Sequence, residues 1–549
     1  MPTRSILVNF NGYPSTIDSL MPDNGLANLA GSLMESGHET LILDFSTVDI
    51  IRRLVPDDMG QQLSEVYNQF LTEMRSGGRP ENATVGRLLY LDKALEEHKQ
   101  VELVEIADEV ADAAIRIGAD FVGFKLWTGD GFAGSVKIAA RLRERIPHVR
   151  IFAGGPHVDW FMENILDHTD AFDVLAYGEG EETIKLLAEY SEGKRQLSDI
   201  PNLIYRENGS IRVTQSRMIS DLDMLPDPVY EERVYPAMAQ AQKIRFMMVD
   251  DSRGCPNACY FCVHSQKSGA KCRKREASKT VDLMEKLNRQ LGIDTFRLAG
   301  SNPPVDLKMD LAREFIMRDF SVEYSAFSHV REHERVDYEL LRKSGCVALA
   351  FGVESGSQRI LDQDINKRIT VEQISSALTK CRQAGILAVA SLIVPCPHDT
   401  PETIGKTLSL LLDARPDSVT VQLPGLIPNT HWYRNRADFG FELDDGYMSR
   451  AMRYSVKLLL PPVLWEPLPY RVNGKDHSQV VMMAQHLVME LEKNGILTGI
   501  GDFLLLAGKH MDMPAREIRD ANRRLFFTGN YRGVQNMVEL FNRQVAISV

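Results

Sequence analysis

Apolar positions along the chain fall into two blocks of short buried runs separated by helical stretches, then a tail of a different kind. In the first block, residues 5–10, 40–44, 120–125, 149–153 and 171–176 are strand-length apolar runs bounded by turn residues. Between them apolar residues recur at helical spacing, as at Leu26, Leu29, Leu33 and Met34, with Gly37 as a stop. Residues 48–118 read as mostly helical and polar, broken near 76–80. This alternation predicts an α/β unit, a parallel doubly wound sheet over 1–195. Residues 196–240 form a linker with a short hairpin around Asn208-Gly209 and several prolines. The second block, 241–435, alternates again, with strands predicted over 244–249, 295–300, 323–327, 346–354, 387–394 and 418–422. Six strand–helix units suit a partial parallel barrel, smaller than the eight-unit barrel of roughly 250 residues. From 436 to 549 the pattern predicts helices, over 448–460, 477–494, 514–525 and 531–545.

Composition changes this picture little. The chain has 549 residues, 44% hydrophobic and 25% charged, as expected for several globular domains. No run of about 18 apolar residues predicts a membrane span, and the first residues lack the pattern of a signal peptide. The net charge of −12 gives no global field for nucleic acid. One local run is basic, Lys267, Lys271, Arg273, Lys274, Arg275 and Lys279, which reads as a solvated helix start or an anion site.

The cysteines carry the chemistry. All seven lie between Cys255 and Cys396, which fits a metal site in a reducing cytosol rather than a disulfide framework. Cys255, Cys259 and Cys262 stand in the spacing C-x3-C-x2-C, just after the first strand of the second block. Three thiolates this close can hold three irons of a [4Fe–4S] cube and leave the fourth iron open to a small molecule. The competing reading is a zinc site completed by Cys272 or His264, although zinc ribbons usually show two C-x2-C pairs. Cys346 and Cys381 sit on apolar faces and read as core; Cys396 heads a loop after a barrel strand, where a substrate-side thiol is possible.

The cysteine run, with Phe261 before its last cysteine, resembles the cluster loop of the radical S-adenosylmethionine (SAM) enzymes. The resemblance extends across the second block. It implies that the cluster binds SAM and cleaves it to methionine and a 5′-deoxyadenosyl radical. It also places Phe261 beside the adenine, Ser301, Asn302 or another polar group in the role of the glutamate that receives the methionyl amino group in relatives, and Glu354 at the ribose or in a polar network nearby. The first block resembles the cobalamin-binding domain of cobalamin-dependent radical SAM enzymes, through the turn Trp127-Thr128-Gly129-Asp130-Gly131, the run Gly154-Gly155-Pro156-His157, and the turn Gly178-Glu179-Gly180-Glu181. These loops imply cobalamin contacts from Thr128, Gly129, Gly154, Gly155, His157, Gly178, Glu179 and Gly180. No D-x-H-x-x-G signature is present, so no lower cobalt ligand can be named. No G-x-G-x-x-G follows a strand, which argues against nicotinamide or flavin.

The resemblance implies methylation of an unactivated carbon in a small biosynthetic intermediate. The cofactors would be a [4Fe–4S] cluster, SAM and cobalamin, with a flavodoxin- or ferredoxin-type electron donor, in the cytoplasm, with no nucleic-acid or membrane partner. The alternative is rearrangement, cyclisation or dehydration, with cobalamin non-methylating or absent. Methylthiolation is disfavoured, since residues 1–250 hold none of the extra cysteines it needs. No catalytic acid or base is assigned.

Overall fold

The computed structural model describes residues 2–75, 80–455, 460 and 465–547. The first sheet comprises β1 (Arg4–Asn9), β2 (Glu39–Asp44), β3 (Phe121–Lys125), β4 (Arg150–Gly154), β5 (Val174–Ala176), β6 (Leu203–Glu207) and β7 (Ser210–Val213), in the order β2-β1-β3-β4-β5-β6-β7. The first five strands are parallel, and their interiors, such as Ile6-Leu7-Val8, are apolar because helices cover both faces. Helices Val48–Leu54, Asp57–Arg75 and Asn82–Ile117 occupy the polar insert before β3; the break expected near 76–80 falls largely outside the described residues.

The predicted linker differs from expectation. Its hairpin is not a free connection: β6 pairs antiparallel with β5, Leu203 opposite Ala176, and extends the first sheet. Leu203 and Ile204 are fully buried there. An apolar pair at a strand start needs a face to cover, and β5 offers an open edge.

The second sheet contains β8 (Met247–Val249), β9 (Thr295–Leu298), β10 (Glu323–Ser328), β11 (Cys346–Glu354), β12 (Leu387–Ile393) and β13 (Ser418–Gln422), all parallel and ordered as in the chain. Its own helices pack on one face against Leu349, Phe351 and Val353. The other face is filled from the tail. Val347, Ala350 and Val389 meet Phe503, Leu506 and Ala507 of the helix Asp502–His510. Each fully buried leucine of that helix contributes roughly 1.5–3 kcal/mol. Asp502 fixes the helix end inside the barrel, 2.8 Å from the Arg297 guanidinium and accepting from Ser325 Oγ at 2.8 Å.

The tail also carries a small antiparallel sheet, Phe441–Leu443, Tyr470–Val472 and Lys475–Asp476, where helix alone was expected. Strands of two or three residues leave no periodic trace. The helix expected over 448–460 is Tyr447–Arg453, and residues 456–459 of that expectation lie outside the described residues.

Candidate active site

Both parallel sheets turn their carboxyl ends toward one cleft of about 340 Å³. Its walls come from β3, β4 and β5 on one side, and from Asp250, Ser252, Arg253, Gly254, Ala299 and Ser301 on the other. Ligands of parallel sheets bind at this end of the strands.

The cysteine loop begins where β8 ends. Ser252–Arg253 pairs antiparallel with Arg273–Lys274, so residues 254–272 form an excursion closed at its base. Gly254 sits at φ +88°, and a Cβ there would collide with the Lys271 carbonyl oxygen. The Cys255 amide donates to the Gly269 carbonyl at 3.0 Å and the Tyr260 amide to Ile365 at 2.9 Å. Within this frame Cys255, Cys259 and Cys262 are half-exposed and feel one another's charge. Burial raises the Cys259 thiol and pushes Cys262 up to about 11, while the His264 amide, 3.4 Å from Cys262 Sγ, works the other way. Cys259 and Cys262 therefore stay protonated at neutral pH, and iron must displace those protons. Among the described residues no three His, Cys, Asp or Glu side chains form a ready single-ion site.

Next to the thiols lies a buried ion pair that sequence reading half-missed. Glu354 ends β11 at φ +63°, where the pairing with β12 slips between Gly352 and Glu354. A buried non-glycine residue in this conformation is strained, and such strain gathers at functional sites. Lys367 Nζ donates to Glu354 Oε1 at 2.7 Å and stands 6.0 Å from the centre of the Phe261 ring. Burial works against the ammonium, yet Glu354 and the nearby Cys259 and Cys262 hold its pKa above the ordinary lysine value. Lys367 is set between Asn366 and Arg368, both at positive φ, after the π-helical turn Leu361–Ile365. No periodicity announces such a turn.

Asp251 is the second residue missed. Fully buried, it accepts from the Gly300 amide at 2.7 Å and from Ser252 Oγ at 3.0 Å, tying the end of β8 to that of β9. Burial pushes its carboxyl up to about 6. The tie sets Ser301 in the cleft wall, with Asn302 just outside the lining.

On the opposite wall the residues expected around cobalamin separate into two groups. Gly154, Gly155, Gly178, Glu179 and Gly180 line the cleft. Gly155, at φ +97°, packs against Lys125 and Leu126 so closely that a side chain there would press on both. Thr128 and Gly129 do not line the cleft; Gly129 donates to the Met452 carbonyl at 3.0 Å and abuts Tyr454 and Ser455 of the tail. His157 corrects the expectation most clearly. It is fully buried, stacked 4.3 Å from Phe132 and 4.7 Å from Phe161 between ring centres, and burial pushes its pKa down to about 3. It packs as a core side chain and is not among the residues that line the cleft. Cys396, Cys346 and Cys381 are likewise buried, their thiols raised by burial.

The basic run divides: Lys271 and Lys279 are exposed, Lys279 in the first turn of the helix Ala277–Leu291 as a solvated helix start would have it, whereas Lys267 and Arg273 are committed to acids. Lys267 Nζ lies 3.1 Å from Asp159, and Arg273 grips Glu179 at 2.6 and 2.8 Å. Glu179 thus lines the cleft with its carboxylate already committed.

The donor set fits the implied groups. Three thiols on one closed loop suit a cluster with an open iron. A glycine-lined, largely apolar cleft at three strand ends suits the close approach of a broad flat ligand.

Comparison with known proteins agrees. Residues 249–411 match the radical SAM superfamily and residues 87–188 the B12 binding domain. An uncharacterised methyltransferase of Pyrococcus horikoshii is 29% identical over 339 residues, covering 58% of this chain and 71% of that protein. An anaerobic magnesium-protoporphyrin IX monomethyl ester cyclase of Cereibacter sphaeroides is 29% identical over 293 residues, covering 50% of this chain and 46% of its own length. The chain thus spans only about half of some relatives. The solved structure of the radical SAM methyltransferase TsrM from Kitasatospora setae, with cobalamin and a [4Fe–4S] cluster bound, superposes with a TM-score of 0.64 at 16% identity, covering 97% of this chain and 99% of that one. That likeness speaks for the fold. Cysteine spacing, sheet order and both matched domains converge: the chain is a radical SAM enzyme with a B12-binding domain.

Proposed function

We propose that the chain methylates an unactivated carbon of a small biosynthetic intermediate. The observation that carries this reading is the shared cleft, where the glycine turns of one sheet face the cysteine loop of the other. Bound together, cluster, SAM and cobalamin would supply a hydrogen-abstracting radical and a transferable methyl group, chemistry that side chains lack. Cys255, Cys259 and Cys262 would hold three irons. Phe261 would flank the adenine. The Glu354–Lys367 pair, with Ser301 or Asn302, would receive polar groups of SAM. Gly154, Gly155, Gly178 and Gly180 would let the backbone approach the corrin. The apolar wall of Leu7, Phe124, Phe152 and Ala153 would keep water from the reacting carbon.

A reducing cytoplasm and a flavodoxin- or ferredoxin-type donor complete the proposal. No helix among the described residues is long and apolar enough to cross a membrane. The cyclase among the relatives favours a second reading, rearrangement or cyclisation by the same core. The test is anaerobic reconstitution with iron, sulfide and hydroxocobalamin, desalting, and spectra for both cofactors. Retained cobalamin, with methyl transfer from SAM to the corrin, supports the first reading. Cleavage of SAM by protein that retains no cobalamin overturns it in favour of the second.

A further inference from the structure

The base of the cysteine loop is built from a pairing that is unfavourable by itself. Arg253 and Arg273 are direct cross-strand partners in its two-residue ladder. Like charges directly opposite in an antiparallel pair repel. Both guanidinium groups turn to one short turn of the first domain. Arg253 forks onto Glu181, Nη1 to Oε2 at 3.1 Å and Nη2 to Oε1 at 2.5 Å, and reaches Asp250 at 2.9 Å. Arg273 forks onto Glu179, which also accepts from the Ile219 amide at 2.7 Å. Side-chain exposure is 14% for each arginine, 5% for Glu179 and 7% for Glu181, so these are desolvated, two-pronged pairs rather than surface contacts. A third tie, Lys267 to Asp159, lies beside them, and Asp159 also accepts from the Gly178 amide at 2.7 Å. The same turn, Gly178 to Glu181, lines the cleft.

We infer that Arg253, Arg273, Glu179 and Glu181 are positioning residues that fix the cysteine loop against the cleft wall and so set the separation of cluster and corrin. The inference rests on the proposed function, since it needs both groups in one cleft. Both guanidinium groups are committed to carboxylates of the first domain. Each acts through the loop it holds, and the fork matters as much as the charge because a single contact would leave the loop free to pivot.

The experiment uses the full chain loaded with cluster and hydroxocobalamin, reduced so that cob(II)alamin and the [4Fe–4S]⁺ state are both paramagnetic. Their magnetic coupling is read by electron paramagnetic resonance, with iron and cobalt assayed on the same sample. In the wild type a coupled spectrum is expected. In Arg253→Lys, which keeps the charge and loses the fork, and in Glu181→Gln, the metal contents should hold while the coupling weakens or broadens. Should Glu181→Gln lose iron, Arg253→Lys alone decides. Unchanged coupling in Arg253→Lys with both metals retained overturns the inference and leaves the proposed function standing. A wild type that retains no cobalt overturns the proposed function, and this inference with it.

Discussion

The two sheet mouths that face each other across the cleft are built from opposite materials. At the barrel mouth buried charge is kept beside the cysteine loop: Glu354 with Lys367, and Asp251 between two strand ends. At the mouth of the first sheet the cleft wall is mainly glycine and apolar side chains; of the polar residues there, Asp159, Glu179, Glu181 and Asn28 are spent on holding the other unit, and Lys125 pairs with Asp23. Polar ligand groups need oriented charge in a dry place, whereas a broad ring system needs backbone to stand close and little else. One side is equipped to grip and the other to cradle.

The sharpest way to break this contrast is at the thiols. Cys255→Ala, Cys259→Ala or Cys262→Ala should abolish cluster absorbance and 5′-deoxyadenosine formation, measured by iron assay and chromatography. Cys272→Ala should preserve both, and loss of the cluster there would point to a four-cysteine structural site. Next in size is the support beneath the barrel mouth. Asp502→Ala leaves Arg297 buried without its partner and should cost about 3–5 kcal/mol in denaturant unfolding.

On the cradling side, Gly155→Val forces a β-branched residue to a φ of +97°. With ψ at −175° this is a region open essentially to glycine alone, so the change should cost about 1–3 kcal/mol from backbone strain and reduce cobalamin loading while leaving iron content intact. Loading equal to wild type would remove this turn from the cradle. Proton linkage gives a further test. Since burial raises Cys262 to about 11, its protonated fraction is almost complete at pH 7, and iron uptake should release protons. Cluster assembly should accelerate between pH 7 and 9, by up to roughly tenfold per pH unit while thiolate is limiting. The smallest effect is expected from Asp251→Asn. Its carboxyl, raised to about 6, loses stability as pH climbs from its unfolded value through 6. An amide oxygen still accepts from Gly300, so the melting temperature should match wild type at low pH and equal or exceed it at pH 8.

Much of this arrangement was legible in the chain. Strand-length apolar runs marked both parallel sheets, because strands buried on two faces have no polar alternation to confuse them. The cysteine spacing marked the loop, since three ligands of one cluster must lie within reach of one another. What escaped was set by tertiary context. His157 follows two glycines after a strand, as a ligand-facing residue would, yet the chain turns it between Phe132 and Phe161. Lys367 lies in an irregular segment with no repeating pattern. The basic run showed its charge but not its partners, which stand about ninety residues earlier in the sequence, as with Glu179 and Arg273. The hairpin of β6 and β7 was visible, whereas the sheet that would receive it was not.

The helix Asp502–His510 bears on how this protein can be rearranged. Because it fills the concave face of a barrel whose strands begin more than 250 residues before it, the tail is not a detachable accessory. Chimeras that splice the catalytic half of this chain onto the tail of a relative will inherit a mismatched plug. Libraries that recombine such enzymes should therefore keep residues 244–435 and 495–547 from a single parent.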